Sequence, residues 1–551
     1  MRFPSLILAI LLPLVPAAAQ QPGQVLSPAQ SAAWREDLKV LATELPRRHK
    51  NFFYRLQPAA FDSAVAGLDA RIPGLRRQDV IVGFMRLVAM GRDGHTSLNP
   101  MFSPLGFHYY PVEFYVFKDG LFIRRAAPEY RTLAGARVRR IGRVSADSAL
   151  MAVAPVISHE NHQLLKAFAP FYLAIPEVLD ALGLADGSDS VSLEIEAGGR
   201  PRRVWLRPAG PLVPQGHNPD GAVDKSGWVD MRDTAGRAPL YLRHPGEPYW
   251  REYLPESRTL YISYRAVFSR PDYPLPQFFA DVFARVDSGG VDHLVVDVRD
   301  NLGGNGFYNR PLLMGILRRP TLDRPGGVFV ITGRRTYSAA MNLVNELETY
   351  SNATFAGEPT GSPPNFFGDH EPLTLPNSGL ALNISTLWWQ TANPRDQRPF
   401  IAPGIYAETG SEDYRTNLDP VMAAILRRIT QPALAHRLAG LVGRGDTASA
   451  ERALRDARQD EVNRFRNLEA EVNALGYQLL GAGKTREAVL VFGLNTRVYH
   501  GSANVWDSLG EGLERWGRRE QAVRAYRKAL EIDPHTATSR AALERLTGTG
   551  H

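Results

Sequence analysis

The chain has 551 residues, too many for one ordinary domain and enough for roughly three or four. Its 64 basic and 57 acidic residues leave a formal charge of +7, and 44% apolar with 22% charged residues is globular composition that excludes disorder throughout. The arginines are scattered through helical segments with no basic run interleaved with aromatics, so nucleic-acid binding is not indicated, and the absence of cysteine excludes both a disulfide framework and a cysteine-borne lipid anchor.

The first twenty residues differ from the rest. Arg2, the apolar run "LILAILLPLVP" (Leu6–Pro16) and "AAAQ" (Ala17–Gln20) form a secretory signal pattern cut after Ala19, too short to span a bilayer. An exported chain without cysteine fits a periplasmic or secreted protein, with no integral membrane segment after signal removal. Ser27 to Arg92 has a capping-type start and apolar residues at helical spacing, which predicts a helical part over 20–107. Tyr109 to Ala126 reads as two strands hinged on Asp119-Gly120. "LAGARVRRIGRVSADSALMAVAPVI" follows as strand, turn and helix, and Ser190–Pro208 is a second hairpin turning at Gly198-Gly199. Residues 108–210 are thus expected to form a small, partly open β-domain.

From 211 to 430 the pattern changes. "RTLYISYRAVF", "HLVVDVRD" and "GGVFVITG" are β-branched runs separated by helical stretches, which predicts an α/β layer with a largely parallel sheet. A helical, Arg-rich connector covers 431–470. In 471–547, Leu475-Gly476, Leu479, Gly483, Ala488 and Phe492 recur as Leu509-Gly510, Leu513, Gly517, Ala522 and Tyr526. This period of 34, with Trp506 and Pro534 in place, is that of tetratricopeptide units. Two units are fewer than such arrays need alone, so they are expected to pack on the connector or on another subunit.

In such sheets reactive groups gather at the carboxyl ends of the strands, where "RDNLGGNG" (Arg299–Gly306) and "TYSAA" both fall. Ser338 has two readings there: a helix N-cap, or a nucleophile beside backbone donors at the positive end of a helix. His95, in "DGHTSL", sits in a short polar turn after a helix. Gly303 and Gly304 let backbone N–H groups approach a ligand closely. "GEPTGSPPNFFGD" (Gly357–Asp369) reads as a glycine- and proline-rich loop that shapes a pocket. "SHENH" (Ser158–His162) lacks the i,i+4 histidine pair of a helical metal site, so no metal or cofactor is expected. Asp369, His370 and Glu371 read as a solvated rim.

These stretches, in order from Ser27 to Leu426 and closing with "IAPGIYAETGSEDYRTNLDPVMAAI", resemble the C-terminal-processing and tricorn-type serine peptidases. The resemblance implies an α/β, ClpP/crotonase-like peptidase core at 211–430, preceded by the helical part and a PDZ-like domain at 108–210, with the repeats as an addition. It implies an exported endopeptidase that cleaves unfolded or C-terminal protein segments, with protein or peptide substrates and a further protein partner on the repeats. The processing branch uses a lysine after the serine, and no lysine lies between Lys225 and Lys484. The tricorn-like branch uses a histidine at the position of His95, preceded by a serine where this chain has Gly94. It also uses a carboxylate for which Asp396 is the nearest candidate and Glu408 the second. The expected site is therefore Ser338 as nucleophile, His95 as base and Asp396 as orienting acid, with Ala339 and either Gly303 or Gly304 holding the oxyanion. The rival reading is an inactive peptide-binding scaffold on the same fold, favoured by the missing lysine, Gly94 and the uncertain acid. A third is a carrier of apolar ligands.

Overall fold

The computed structural model describes residues 24–100, 106–212 and 225–548; the signal pattern of residues 1–19 lies outside them. Among the described residues no helix is long and apolar enough to cross a membrane. The N-terminal part is three helices: α1 (Pro28–Arg48), α2 (Pro58–Arg71) and α3 (Arg77–Ala89). Ser27 and Gln30 form a reciprocal capping box at the start of α1, satisfying two otherwise free N–H groups. The inward stripe of α1, Trp34, Leu38, Leu41 and Leu45, is buried with Val80, Ile81, Phe84 and Val88 of α3.

The next sheet is built from hairpins. β1 (Val112–Phe117) and β2 (Gly120–Ala126) pair antiparallel about Asp119-Gly120. They are followed by β3 (Arg137–Ile141), β4 (Val144–Ser145) and α4 (Ala146–Val153), then α5 (His162–Tyr172) and α6 (Pro176–Ala181). β5 (Val191–Ala197) and β6 (Arg200–Leu206) turn at Gly198-Gly199, both at positive φ, as a tight turn without Cβ allows. The order is β1-β2-β3-β5-β6, with a short β7 (Val229–Asp230) beside β2.

The central layer comprises β8 (Tyr249–Leu254), β9 (Thr259–Tyr264), α7 (Leu275–Asp287), β10 (His293–Asp297), α8 (Arg310–Leu317), β11 (Val328–Thr332), α9 (Ala339–Tyr350) and β12 (Thr354–Gly357). A hairpin of β13 (Asn365–Thr374) and β14 (Ala381–Gln390) and a short β15 (Ile405–Tyr406) follow. The sheet runs β15-β12-β11-β10-β9-β8, parallel except for edge strand β8. Successive residues of β11 serve opposite cores: Val328 and Val330 join that of α7, α8 and α9. Phe329 and Ile331 join the one closed by α11 (Pro420–Thr430), which follows a single-turn α10 (Ser411–Arg415). Burial on both faces is why these strands read as unbroken apolar runs. The sequence predicted one pocket loop over Gly357–Asp369. Instead, its second half enters β13 at Asn365, because Leu373, Leu382 and Ile384 of the hairpin bury against the N-terminal helices.

The C-terminal region is a stack of helical hairpins: α12 (Leu434–Gly443), α13 (Thr447–Gln459), α14 (Leu468–Gly481), α15 (Thr485–Val498), α16 (Ala503–Arg515), α17 (Arg519–Ile532) and α18 (Ala537–Thr547). The stretch read as a connector is itself a helix pair. Leu438, Val442, Ala450 and Leu454 share one core with Val472, Leu475, Val491 and Leu494. The stack meets the central layer where the Phe465 ring lies edge-on to Tyr406, 5.4 Å between centroids, and the β1–β2 hairpin where Lys118 pairs with Glu461.

Candidate active site

Ser338 stands between β11 and α9, in a turn tied to the loop after β10. The Thr336 hydroxyl donates to the Val298 carbonyl at 2.8 Å, and the Tyr337 N–H donates to that of Asn301 at 3.0 Å. These bonds hold Ser338 at φ 54°, ψ −126°, a backbone region that costs a non-glycine residue about 1–3 kcal/mol. Ser338 occupies the N-cap position of α9, yet its side chain makes no capping bond. Its Oγ lies 2.9 Å from Nε2 of His95 instead. A serine kept in a strained backbone and turned away from the helix it precedes is not serving as a cap.

Gly303, at φ 103°, lies directly over this residue. A Cβ there would be 2.6 Å from the Ser338 Cβ and 2.8 Å from the Ala339 nitrogen. Both glycines had been candidates for the oxyanion. The Gly303 N–H is already spent on Oδ1 of Asn301 at 2.8 Å, while those of Gly304 and Ala339 make no hydrogen bond among the described residues. Gly304 is in turn pressed against the Val267 carbonyl, which a Cβ would meet at 2.3 Å. Gly303 supplies room, and Gly304 with Ala339 supplies free donors. Asn301, buried and donating to the Tyr264 carbonyl at 2.8 Å, positions the loop.

His95 follows α3 in a turn organised by Asp93. That buried carboxylate accepts from His49 Nε2 and from the His95 backbone N–H, both at 3.0 Å. Burial pushes the Asp93 carboxyl up, but the bond from His49 and the field of His95 bring it below its ordinary value. The imidazole is stacked between Tyr337, 4.4 Å between centroids, and Phe366 of β13 at 5.8 Å. Burial lowers its pKa to about 4, only partly opposed by Asp93, so the ring is neutral at pH 7 and able to accept a proton.

The acid expected from the sequence is not at this ring. Asp396 is held by Arg398, with oxygens at 2.7–3.1 Å, and Arg398 also reaches Glu348 on the surface. Glu408 is engaged by Lys166, Tyr406 and Arg334. Each carboxylate has a nearer cation, which removes it from the site. Nδ1 of His95 faces the Tyr337 hydroxyl at 2.6 Å instead, and that hydroxyl donates to Oε1 of Glu160 at 3.0 Å. Sequence reasoning missed Tyr337 and Glu160, although the first adjoins Ser338 and the second is the acid of "SHENH". Gly94 was a further signal, since a Cβ there would lie 2.5 Å from the Tyr337 hydroxyl. Asp93, His95 and Glu160 bring potential ligand atoms within 4.8 Å of one another, but the Tyr337 hydroxyl joins two of them and His49 engages the third. Asp369, His370 and Glu371 are exposed on β13.

No family model matches the chain, and no curated protein matches its sequence. Among solved structures, mature CPAF complexed with lactacystin aligns with 72% of this chain and 97% of its own length, at 12% identity and a TM-score of 0.49. The photosystem II D1 C-terminal processing protease aligns over 73% and 98%, at 13% identity and a TM-score of 0.35.

Proposed function

We propose that the protein is a serine-type peptidase in which Ser338 is the nucleophile and His95 its general base. The observation that carries this reading is the 2.9 Å contact between Oγ and Nε2, made by a serine whose backbone is strained and whose hydroxyl leaves the helix end uncapped. Neutral His95 takes the Oγ proton as Ser338 attacks a carbonyl carbon. The oxygen of that carbonyl gains charge where the N–H groups of Gly304 and Ala339 are unoccupied, at the N-terminus of α9. The imidazolium then returns the proton to the leaving amine, giving an acyl-enzyme that water hydrolyses by the same steps. Phe366 and Tyr337 flank the imidazole and keep water from its faces.

The choice of protein substrates rests on the ordered motifs that resemble the C-terminal-processing and tricorn-type peptidases, in the branch that uses histidine rather than lysine. In that reading the β1–β6 sheet is a PDZ-like module that captures an extended segment by strand addition. The C-terminal helices form a tetratricopeptide array for a protein partner, and the signal pattern directs export. The rival inactive scaffold has less support, since a site without chemistry gains nothing from holding Ser338 at φ 54° against His95. A fluorophosphonate probe followed by mapping of the modified residue tests the reading. Labelling is expected at Ser338, and Ser338→Ala is expected to abolish hydrolysis of an unfolded protein with its melting temperature kept. Labelling elsewhere, or equal turnover by the variant, would remove Ser338 from the mechanism.

A further inference from the structure

We propose that Tyr337 and Glu160 together do the work of the missing acid: the tyrosine hydroxyl, oriented by Glu160, holds His95 in the tautomer that leaves Nε2 free to take the serine proton. This rests on the Ser338–His95 reading above and adds two positioning residues to it.

The reasoning is a count of protons and lone pairs. With Glu160 ionised, the one proton of the Tyr337 hydroxyl goes to Oε1 of that carboxylate. What it turns towards His95 at 2.6 Å is therefore a lone pair, so Nδ1 must carry the hydrogen. With Nδ1 protonated, Nε2 is bare and accepts from Ser338. The opposite tautomer would present an N–H to Oγ, and the imidazole could not act as base. Two other groups act on the ring: the Phe367 carbonyl of β13, and Asp93, whose nearer oxygen is 3.9 Å from Nδ1 and whose carboxylate is already bonded to His49 and to the His95 backbone. The remaining titratable groups acting on the ring, Asp369 and His370 of β13, are exposed.

Two features show that the space around the hydroxyl is built for it. Gly94 must lack a side chain, because a Cβ would lie 2.5 Å from the tyrosine oxygen and 2.8 Å from Oε2 of Glu160. The tricorn-type pattern that the sequence resembles has a serine there; here the Tyr337 oxygen fills the space its side chain would need. Glu160 is fixed from the other side, since the next residue, Asn161, caps α5 and also donates to the carbonyls of Thr360 and Pro399 at 3.2 and 2.8 Å. The positioning acid thus comes from the β1–β6 unit, whereas the nucleophile comes from the central layer.

A pH consequence follows. Burial, reinforced by Asp93, pushes the Glu160 carboxyl up to about 8. As a carboxylate it can only accept, which enforces the productive direction of the relay. Once protonated it can donate to the Tyr337 oxygen, freeing the phenolic proton to turn towards Nδ1 and favour the wrong tautomer. Turnover should therefore rise with pH through an inflection near 8.

The test uses the full-length protein and three variants. In triads the wrong tautomer costs up to about 10⁴ in kcat, and for this uncharged hydroxyl a loss of about 10²–10³ is expected. Tyr337→Phe should lower kcat by that factor with KM within two-fold, and slow fluorophosphonate labelling of Ser338 in parallel. Glu160→Gln keeps an acceptor oxygen but cannot titrate, so it should retain most of the high-pH rate and lose the inflection. Ser338→Ala sets the floor. If Tyr337→Phe keeps kcat within two-fold while Ser338→Ala is dead, the relay is overturned and the peptidase reading stands. The relay also falls if Glu160→Gln shows the inflection unchanged, a readout that survives should Tyr337→Phe fail to fold. A wild-type protein that neither labels nor cleaves removes both.

Discussion

Among the glycines that permit close approach, those of the C-terminal stack and of the Ser338 turn contrast most, and the contrast separates a site from architecture. In the C-terminal stack, Gly476 and Gly510 let the rings of Phe492 and Tyr526 press onto the facing helix, where a Cβ would meet ring atoms at 2.3 and 2.6 Å. These contacts link residues sixteen apart and repeat after 34, so each belongs to one helical hairpin. At the Ser338 turn, Gly303 approaches Ser338 from the loop after β10. The room it leaves is taken by the Ser338 side chain, beside the free N–H of Ala339. The first use of glycine gains packing; the second, in the proposed reading, keeps room for a reacting atom. Substitution should therefore damage stability in one region and activity in the other.

The largest effect is expected at Gly303. Gly303→Ala places a methyl 2.6 Å from the Ser338 Cβ at a φ of 103°. Hydrolysis should fall by about 10²–10³, the scale of losing an oxyanion donor, while thermal unfolding shifts by only a few degrees. A variant with near-normal kcat would show that the turn can relax and that Gly303 does not guard the site.

A smaller effect separates the two titrating groups of the site by their pull on stability. Glu160 is raised to about 8 from the ordinary carboxylate value of 4.5, so the folded state binds its proton more tightly, and stability falls as pH rises between those values. His95 is lowered to about 4 from 6.5, so stability falls as pH drops from 6.5 to 4. The two slopes oppose each other between 4.5 and 6.5, and Glu160 alone acts above that. Melting temperature measured from pH 6.5 to 8 should decline, and Glu160→Gln should flatten the decline. An identical slope in the variant would place the titration elsewhere.

The smallest effect on activity is expected in the stack. Gly510→Leu drives a side chain into Tyr526 and should cost at least about 1–3 kcal/mol of local stability, seen as an early unfolding step or as faster proteolysis of α16 and α17. Hydrolysis of a small peptide should stay within two-fold. Loss of that activity would mean the stack supports the catalytic layer through the Phe465 junction, and would erase the contrast between the two regions.

Much of the architecture was legible in sequence because it is encoded locally. Asp119-Gly120 and Gly198-Gly199 each turn a hairpin within a few residues. The β-branched runs alternate with helices, and the 34-residue period repeats a helix pair. Ser338, His95 and the glycine pair were noticeable for the same reason, each standing in a distinctive turn. The tertiary structure decided what those residues do to one another. His95 and Ser338 are 243 positions apart, and Tyr337 and Glu160 are 177 apart. Whether Gly303 or Gly304 offers its N–H depends on where the Asn301 side chain points. Asp396 looked suited to the acid by its place in the chain, but the fold leaves it on Arg398, two residues on, instead of at His95, where the Tyr337 hydroxyl stands. The partner of a buried polar group is set by the free energy of leaving it unsatisfied, which is counted only after the chain has closed around it.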